Sequence, residues 1–101
     1  MKLHELKIKE EYYREIEAGN KTFEIRKNDR DFQAGDYINF TIVRGSLVFE
    51  TYPLFKITYV LKNVPEYGLD KDYCIFGFKI LEVCDKEYEE KIIRGGRYES
   101  K

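Results

Sequence analysis

A chain of 101 residues is long enough for one hydrophobic core and too short for two, since single domains usually occupy about 100–150 residues. Its hydrophobic share of 43%, with seven Phe and nine Tyr, supports a packed interior, while a charged share of 37% nearly cancels to a net charge of −1. That balance excludes a protein that coats nucleic acid by overall charge and leaves room only for a local basic patch.

No run approaches the roughly 18 apolar residues of a membrane span, so the chain is not expected to be integral to a membrane. Cys74 and Cys84 have neither a signal peptide before them nor metal-ligand spacing around them. They read as reduced thiols, which places the chain in the cytoplasm. With His4 as the single histidine, no metal site is expected, and no cofactor either.

In chain order, residues 3–8 alternate as a short strand with His4, Leu6 and Ile8 on one face. His4 is expected on the core side as a hydrogen-bonded imidazole. Residues 9–18 change to helical spacing, with Tyr12 or Tyr13 and Ile16 on the buried side, Glu10 and Glu11 at the positive end of the helix dipole, and Gly19 placed to close the helix. Residues 21–27 form the second strand, on which Thr22, Glu24 and Arg26 share one face and Phe23 and Ile25 the other. Phe23 and Ile25 are expected to anchor it while the other face presents charge.

Turn-forming Asn28-Asp29-Arg30-Asp31 follows, and Gly35-Asp36 launches a third strand with Ile38, Phe40 and Ile42 facing the core and Tyr37, Asn39 and Thr41 facing away. Gly45 marks a hairpin into residues 47–52, where Pro53 either ends the strand or marks a bulge or edge. Residues 54–62 read as a fifth strand with Phe55, Ile57, Tyr59 and Leu61 on one face. The long loop at 63–72 carries Tyr67, which either pins the loop or stacks on a base. Residues 72–83 form the last strand, apolar enough to suggest a central strand buried on both faces, with Gly77 marking a bulge or a close backbone approach. A short helix at 85–93 and a frayed tail at 94–101 complete the chain.

The predicted order of one strand, one helix and five strands is α+β, mainly β. Short antiparallel strands with glycine-marked corners favour a small, partly closed pseudo-barrel of about six strands with the helix at one end. The densest varied polar chemistry lies at residues 19–30. Glu24 and Arg26 sit about 7 Å apart along one strand face, and an arginine held by a carboxylate still offers donors to a phosphate or a base oxygen. Lys21 starts that strand at the seam between helix and barrel.

Gly19, Lys21, Glu24 and Arg26 match the Gly-x-Lys-x-x-Glu-x-Arg signature of the ASCH domains, small barrels similar to the PUA RNA-binding fold. With His4-Glu5-Leu6-Lys7, Asn28-Asp29-Arg30-Asp31-Phe32, Gly35-Asp36, Tyr59-Val60-Leu61 and Ile75-Phe76-Gly77-Phe78, the chain resembles the bacterial and phage family DUF3850 over roughly residues 3–83. The resemblance implies an ASCH/PUA-like domain, taken as residues 1–84 ahead of the C-terminal helix or tail at 85–101, and a cleft beside the helix that binds RNA or a nucleotide-like ligand. In that cleft Lys21, Arg26 and Arg30, with Asn28 beside them, contact phosphate or base. Glu24 orients Arg26 or accepts from a base amino group, and Tyr67 supplies a stacking ring.

Some small ASCH proteins are amidohydrolases acting on N4-acetylcytidine through a lysine, a threonine and a glutamate, which makes an enzyme with Lys21 as base or nucleophile and Glu24 as its partner the alternative. Lys21 matches that lysine, but Glu24 stands at the threonine's position and the distant glutamate has no equivalent, so a binding role is favoured over catalysis. A third reading is a phage or mobile-element protein that binds a host protein through exposed tyrosines and the acidic helix.

Overall fold

The computed structural model describes residues 1–81. The expected helix at 85–93, the tail at 94–101 and Cys84 lie outside the described residues.

The first strand, β1 (Leu3–Lys9), turns His4, Leu6 and Ile8 inward, and its exposed positions alternate with them. It runs directly into helix α1 (Glu10–Glu17), which buries Tyr13 and Ile16 and leaves Tyr12 46% exposed. The Tyr13 ring meets Phe40 edge-on at 6.0 Å, so the helix plugs one side of the core. Glu10 and Glu11 occupy its first turn, where the helix dipole favours them. Glu10 also ties the helix to the sheet: Arg44 Nε donates to it at 2.7 Å and Arg14 Nη2 at 2.9 Å. Those two guanidinium groups, Arg44 foremost, pull its carboxyl down to about 2. Gly19, at φ +81°, takes the left-handed conformation that ends the helix.

Five more strands follow: β2 (Phe23–Lys27), β3 (Tyr37–Arg44), β4 (Leu47–Glu50), β5 (Phe55–Lys62) and β6 (Tyr73–Ile80). The sheet order is β1-β3-β5-β6-β2, with β4 paired to the far half of β3. Among the described residues only β1 and β3 run parallel, joined through the helix and β2; the remaining pairs are antiparallel. The result is a mainly β, α+β fold in which six strands form a curled half-barrel around one core. That core is aromatic: Phe32, Phe40, Phe55, Phe76 and Phe78 are all buried, with Phe55 and Phe78 edge-on at 5.2 Å. Cys74 is fully buried among them, and burial pushes its thiol pKa up.

His4 is held as expected. Its Nε2–H donates to Asp36 Oδ2 at 2.8 Å, and its ring lies 4.7 Å from that of Phe32. Asp36 also accepts from the backbone N–H groups of Lys2 and Gln33, which fixes the turn that starts β3.

The structure corrects four local expectations. In β5 the register shifts between Ile57 and Tyr59, so Thr58 forms a bulge; Phe55 and Ile57 point inward while Tyr59, 65% exposed, and Leu61 turn outward. Gly77 lies opposite Tyr59 and approaches that bulge closely, a Cβ there meeting Thr58 Oγ1 at 3.4 Å. β6 is central but fully buried on one face only: Cys74, Phe76 and Phe78 are inside, while Tyr73 is exposed and Ile75 and Gly77, both half-buried, face out. Asn39 is fully buried rather than facing away, because its Nδ2 donates to the carbonyls of Thr51 at 2.9 Å and Pro53 at 3.2 Å where the chain leaves β4 for β5. Tyr67 does not pin the long loop; it is 82% exposed on a single 3₁₀ turn, and Leu69 is the loop residue that enters the core.

Candidate functional site

The backbone N–H groups of Asn20 and Lys21 both donate to Glu15 O, so the helix end fixes where Lys21 starts its approach to β2. Alternation along β2 holds as predicted, but the two faces are exchanged. Glu24 is 6% exposed, whereas Phe23 is 48% and Ile25 56% exposed. The carboxylate tolerates burial because both oxygens are matched: the Lys21 ammonium donates to Oε1 and Arg26 Nε donates to Oε2 at 2.8 Å. A buried charge so paired avoids the large cost of an uncompensated one. The lysine at three residues before Glu24 and the arginine at two after it are therefore a local satisfaction pattern, and the spacing of the signature follows from it.

β1 and β2 are the two ends of the sheet and do not pair with each other. Two arginines span the gap. Arg26 Nη2 donates to Lys7 O at 2.7 Å, and Arg30 Nη1 donates to Glu5 O at 3.0 Å, so carbonyls on the edge of β1 are satisfied by side chains in place of a neighbouring strand. Lys21 Nζ does the same for β2, donating to Phe23 O at 2.7 Å. On the other side of β2, Thr22 O accepts from Phe78 N–H. Ladder alternation then turns the N–H and C=O of Phe23 and Ile25 away from β6 and toward the seam.

A groove of about 640 Å³ runs along this seam. Lys7, Ile8 and Lys9 of β1 form one bank and Phe23 to Lys27 of β2 the other, with Tyr12 of α1 and Tyr73 of β6 at the sides and Lys21 between. Five of these side chains are cationic (Lys7, Lys9, Lys21, Arg26 and Lys27), and Glu24 is the one carboxylate. Lys21 and Arg26 are engaged with Glu24, while Lys7, Lys9 and Lys27 form no ion pair among the described residues. The Lys21 ammonium also lies 5.3 Å from the Phe23 ring centroid and 5.8 Å from that of Tyr12, which holds it between two aromatic faces. A second hollow, of about 520 Å³ and mainly apolar, lies on the other side of Lys21 beside Tyr13, Phe55 and Phe78.

Of the predicted site residues, Lys21, Glu24 and Arg26 meet in one network. Asn28, Arg30 and Tyr67 lie elsewhere. Asn28 Oδ1 accepts from Phe32 N–H at 3.2 Å and shapes the turn after β2, Arg30 bridges to β1, and Tyr67 stands outside the groove. The aromatic groups that line the groove are instead Tyr12, Phe23 and Tyr73. A signal for two of them is present in the chain: Phe23 lies within the signature, and the alternative in which Tyr13 rather than Tyr12 packs inward leaves Tyr12 free. Among the described residues no group of three or more His, Cys, Asp or Glu is gathered that could hold a metal ion, and no helix is long and apolar enough to cross a membrane.

A family model described as a domain of unknown function, DUF3850, matches residues 3–78. Comparison with curated proteins found no match.

Proposed function

The chain belongs to the DUF3850 family, and we propose that the groove between β1 and β2 binds single-stranded RNA or a nucleotide-like ligand, on a barrel of the ASCH and PUA-like kind acting in the cytoplasm. The observation that carries this is the composition of the groove: five cations against one carboxylate, with three aromatic rings, in a protein whose net charge is −1. Lysines on the rim answer phosphates, rings offer stacking faces, and the backbone N–H and C=O of Ile25 can read a base edge. Double-stranded nucleic acid would not place its bases within reach of these rings, which favours a single strand or a free nucleotide.

The network at the floor supports binding more than hydrolysis. The Lys21 amino group is spent as a donor to Glu24 and to Phe23 O, and Arg26 to Glu24 and Lys7 O, so both serve to shape the floor.

Fluorescence anisotropy with labelled RNA and DNA pentamers over a series of salt concentrations tests this. Each phosphate neutralised on a single strand contributes about −0.7 to the slope of log K against log salt, so three free rim lysines predict a slope near −2. The double variant Lys9→Glu/Lys27→Glu should weaken binding and reduce the slope to about −0.7. Absence of binding by the wild-type protein across pentamers and mononucleotides, or binding that ignores salt, would overturn the proposal.

A further inference from the structure

The outward face of β2, β6 and β5 is continuous with the groove, since Phe23, Lys27 and Tyr73 belong to both. Directly across the sheet, Phe23 pairs with Gly77 and Gly77 pairs with Tyr59, so these three positions form one row on the same face. Phe23 is 48% and Tyr59 65% exposed, and the residue between them has no side chain. Strands lie about 4.7–4.9 Å apart, which separates the two aromatic Cα positions by about 9–10 Å. A planar base with a van der Waals contact of about 3.5–4 Å on each side needs about 7–8 Å. By strand spacing the two rings can therefore flank one base, and Thr58 Oγ1 of the bulge, 3.4 Å from where a Gly77 Cβ would stand, borders the opening on the β5 side.

The charge of this face selects the occupant. Lys27, Lys56 and Lys79 stand at its outward positions, and no outward position of the three strands carries an acidic side chain. Asp29 and Asp72 stand beside Lys27 at one end; across the rest of the face an apolar centre bordered by Lys56 and Lys79 complements an anionic strand with planar bases and repels a basic peptide.

We infer that this face is a second subsite, in which the Phe23–Gly77–Tyr59 slot takes one base of a single-stranded nucleic acid whose backbone runs on from the groove. The inference rests on the groove being a nucleic-acid site and adds a binding length: a pentamer engages both, a mononucleotide only one. Tyr59 lies outside the groove, and so does Gly77.

The test compares wild-type protein with Tyr59→Ala and Gly77→Val in anisotropy titrations of adenylate and uridylate RNA pentamers. Gly77 has no positive φ, and a Cβ there makes its nearest contacts at 3.4 and 3.8 Å, so the backbone and the first side-chain carbon are accommodated while valine's methyl groups stand in the slot. Thermal melting checks that each variant is folded, and Tyr59→Ala stands alone if Gly77→Val is not. Loss of one stacking partner predicts pentamer binding weakened at least about fivefold, with an unchanged salt slope because no phosphate contact is lost. Variants that bind like the wild type, while Lys9→Glu/Lys27→Glu weakens binding, would overturn the slot and leave the groove standing. Absence of pentamer binding by any form would overturn both. If that absence came with self-association of the wild type that Tyr59→Ala abolishes in sedimentation, the face would be a protein contact and the slot equally overturned.

Discussion

Glu24→Gln separates the two roles of the buried carboxylate. The substitution keeps the side-chain shape and removes the charge that Lys21 and Arg26 share. Removing one partner of a fully buried ion pair costs about 3–5 kcal/mol. Here the Lys21 and Arg26 side chains keep 17% and 25% of their exposure, and the glutamine carbonyl still accepts one hydrogen bond. A loss of about 1–3 kcal/mol is therefore the reasonable magnitude. In a domain of this size each kcal/mol moves Tm by about 4–8 °C, so Tm should fall by roughly 5–20 °C. Binding should move the other way. The lining of the groove gains one net positive charge, and donors that had served Glu24 become available to a phosphate. Differential scanning fluorimetry and anisotropy at fixed salt measure the pair of effects on one sample. An unchanged Tm would refute Glu24 as the organising charge of the seam, and weaker pentamer binding would show that the carboxylate itself accepts from the ligand.

The exchanged faces of β2 predict that Ile25→Thr, at a position 56% exposed, changes stability by less than about 0.5 kcal/mol, whereas Phe76→Ala, on the strand beside it and fully buried, costs about 3–5 kcal/mol; urea denaturation compares them directly. Asp36 gives an acid dependence. Burial works to raise its pKa, but hydrogen bonds from His4 and from the backbone of Lys2 and Gln33 outweigh it, leaving the carboxyl below its ordinary 3.8. A lowered native pKa means that this contribution is complete above the unfolded value and is lost as pH falls through the native one. Stability should thus decline more steeply below about pH 4 in the wild type than in Asp36→Asn, which should also be less stable near neutrality by about 1–3 kcal/mol; urea midpoints across that range report both.

Much of the architecture was legible in the chain because its strands alternate cleanly. Leu6 and Ile8, then Ile38, Phe40 and Ile42, each fall on one face, and Gly19 and Gly45 fall where the chain turns. On the strand carrying the signature the faces are the reverse of what the pattern predicts, for a physical reason. Period-two alternation states which side chains share a face, but Phe23 and Ile25 look like anchors whether or not the sheet curls away from them. Glu24 could be recognised as the inward residue only by noticing that Lys21 and Arg26 together satisfy it. The Thr58 bulge is similarly hidden, since threonine between Ile57 and Tyr59 continues the strand pattern, and only Gly77 across the ladder hinted at irregularity. Arg26 and Arg30 reach carbonyls of β1 nineteen and twenty-five residues away. No local spacing encodes such a contact; it appears only once the half-barrel brings its two ends together.

The most direct test of the seam as a nucleic-acid site is a titration of isotopically labelled protein with an unlabelled RNA pentamer, followed by amide NMR. The largest shifts should fall on Lys7 to Lys9 and Phe23 to Lys27, extend to Tyr73, Gly77 and Tyr59, and spare the β4 hairpin at Leu47 to Glu50. Shifts confined to that hairpin, or none at saturating RNA, would contradict it.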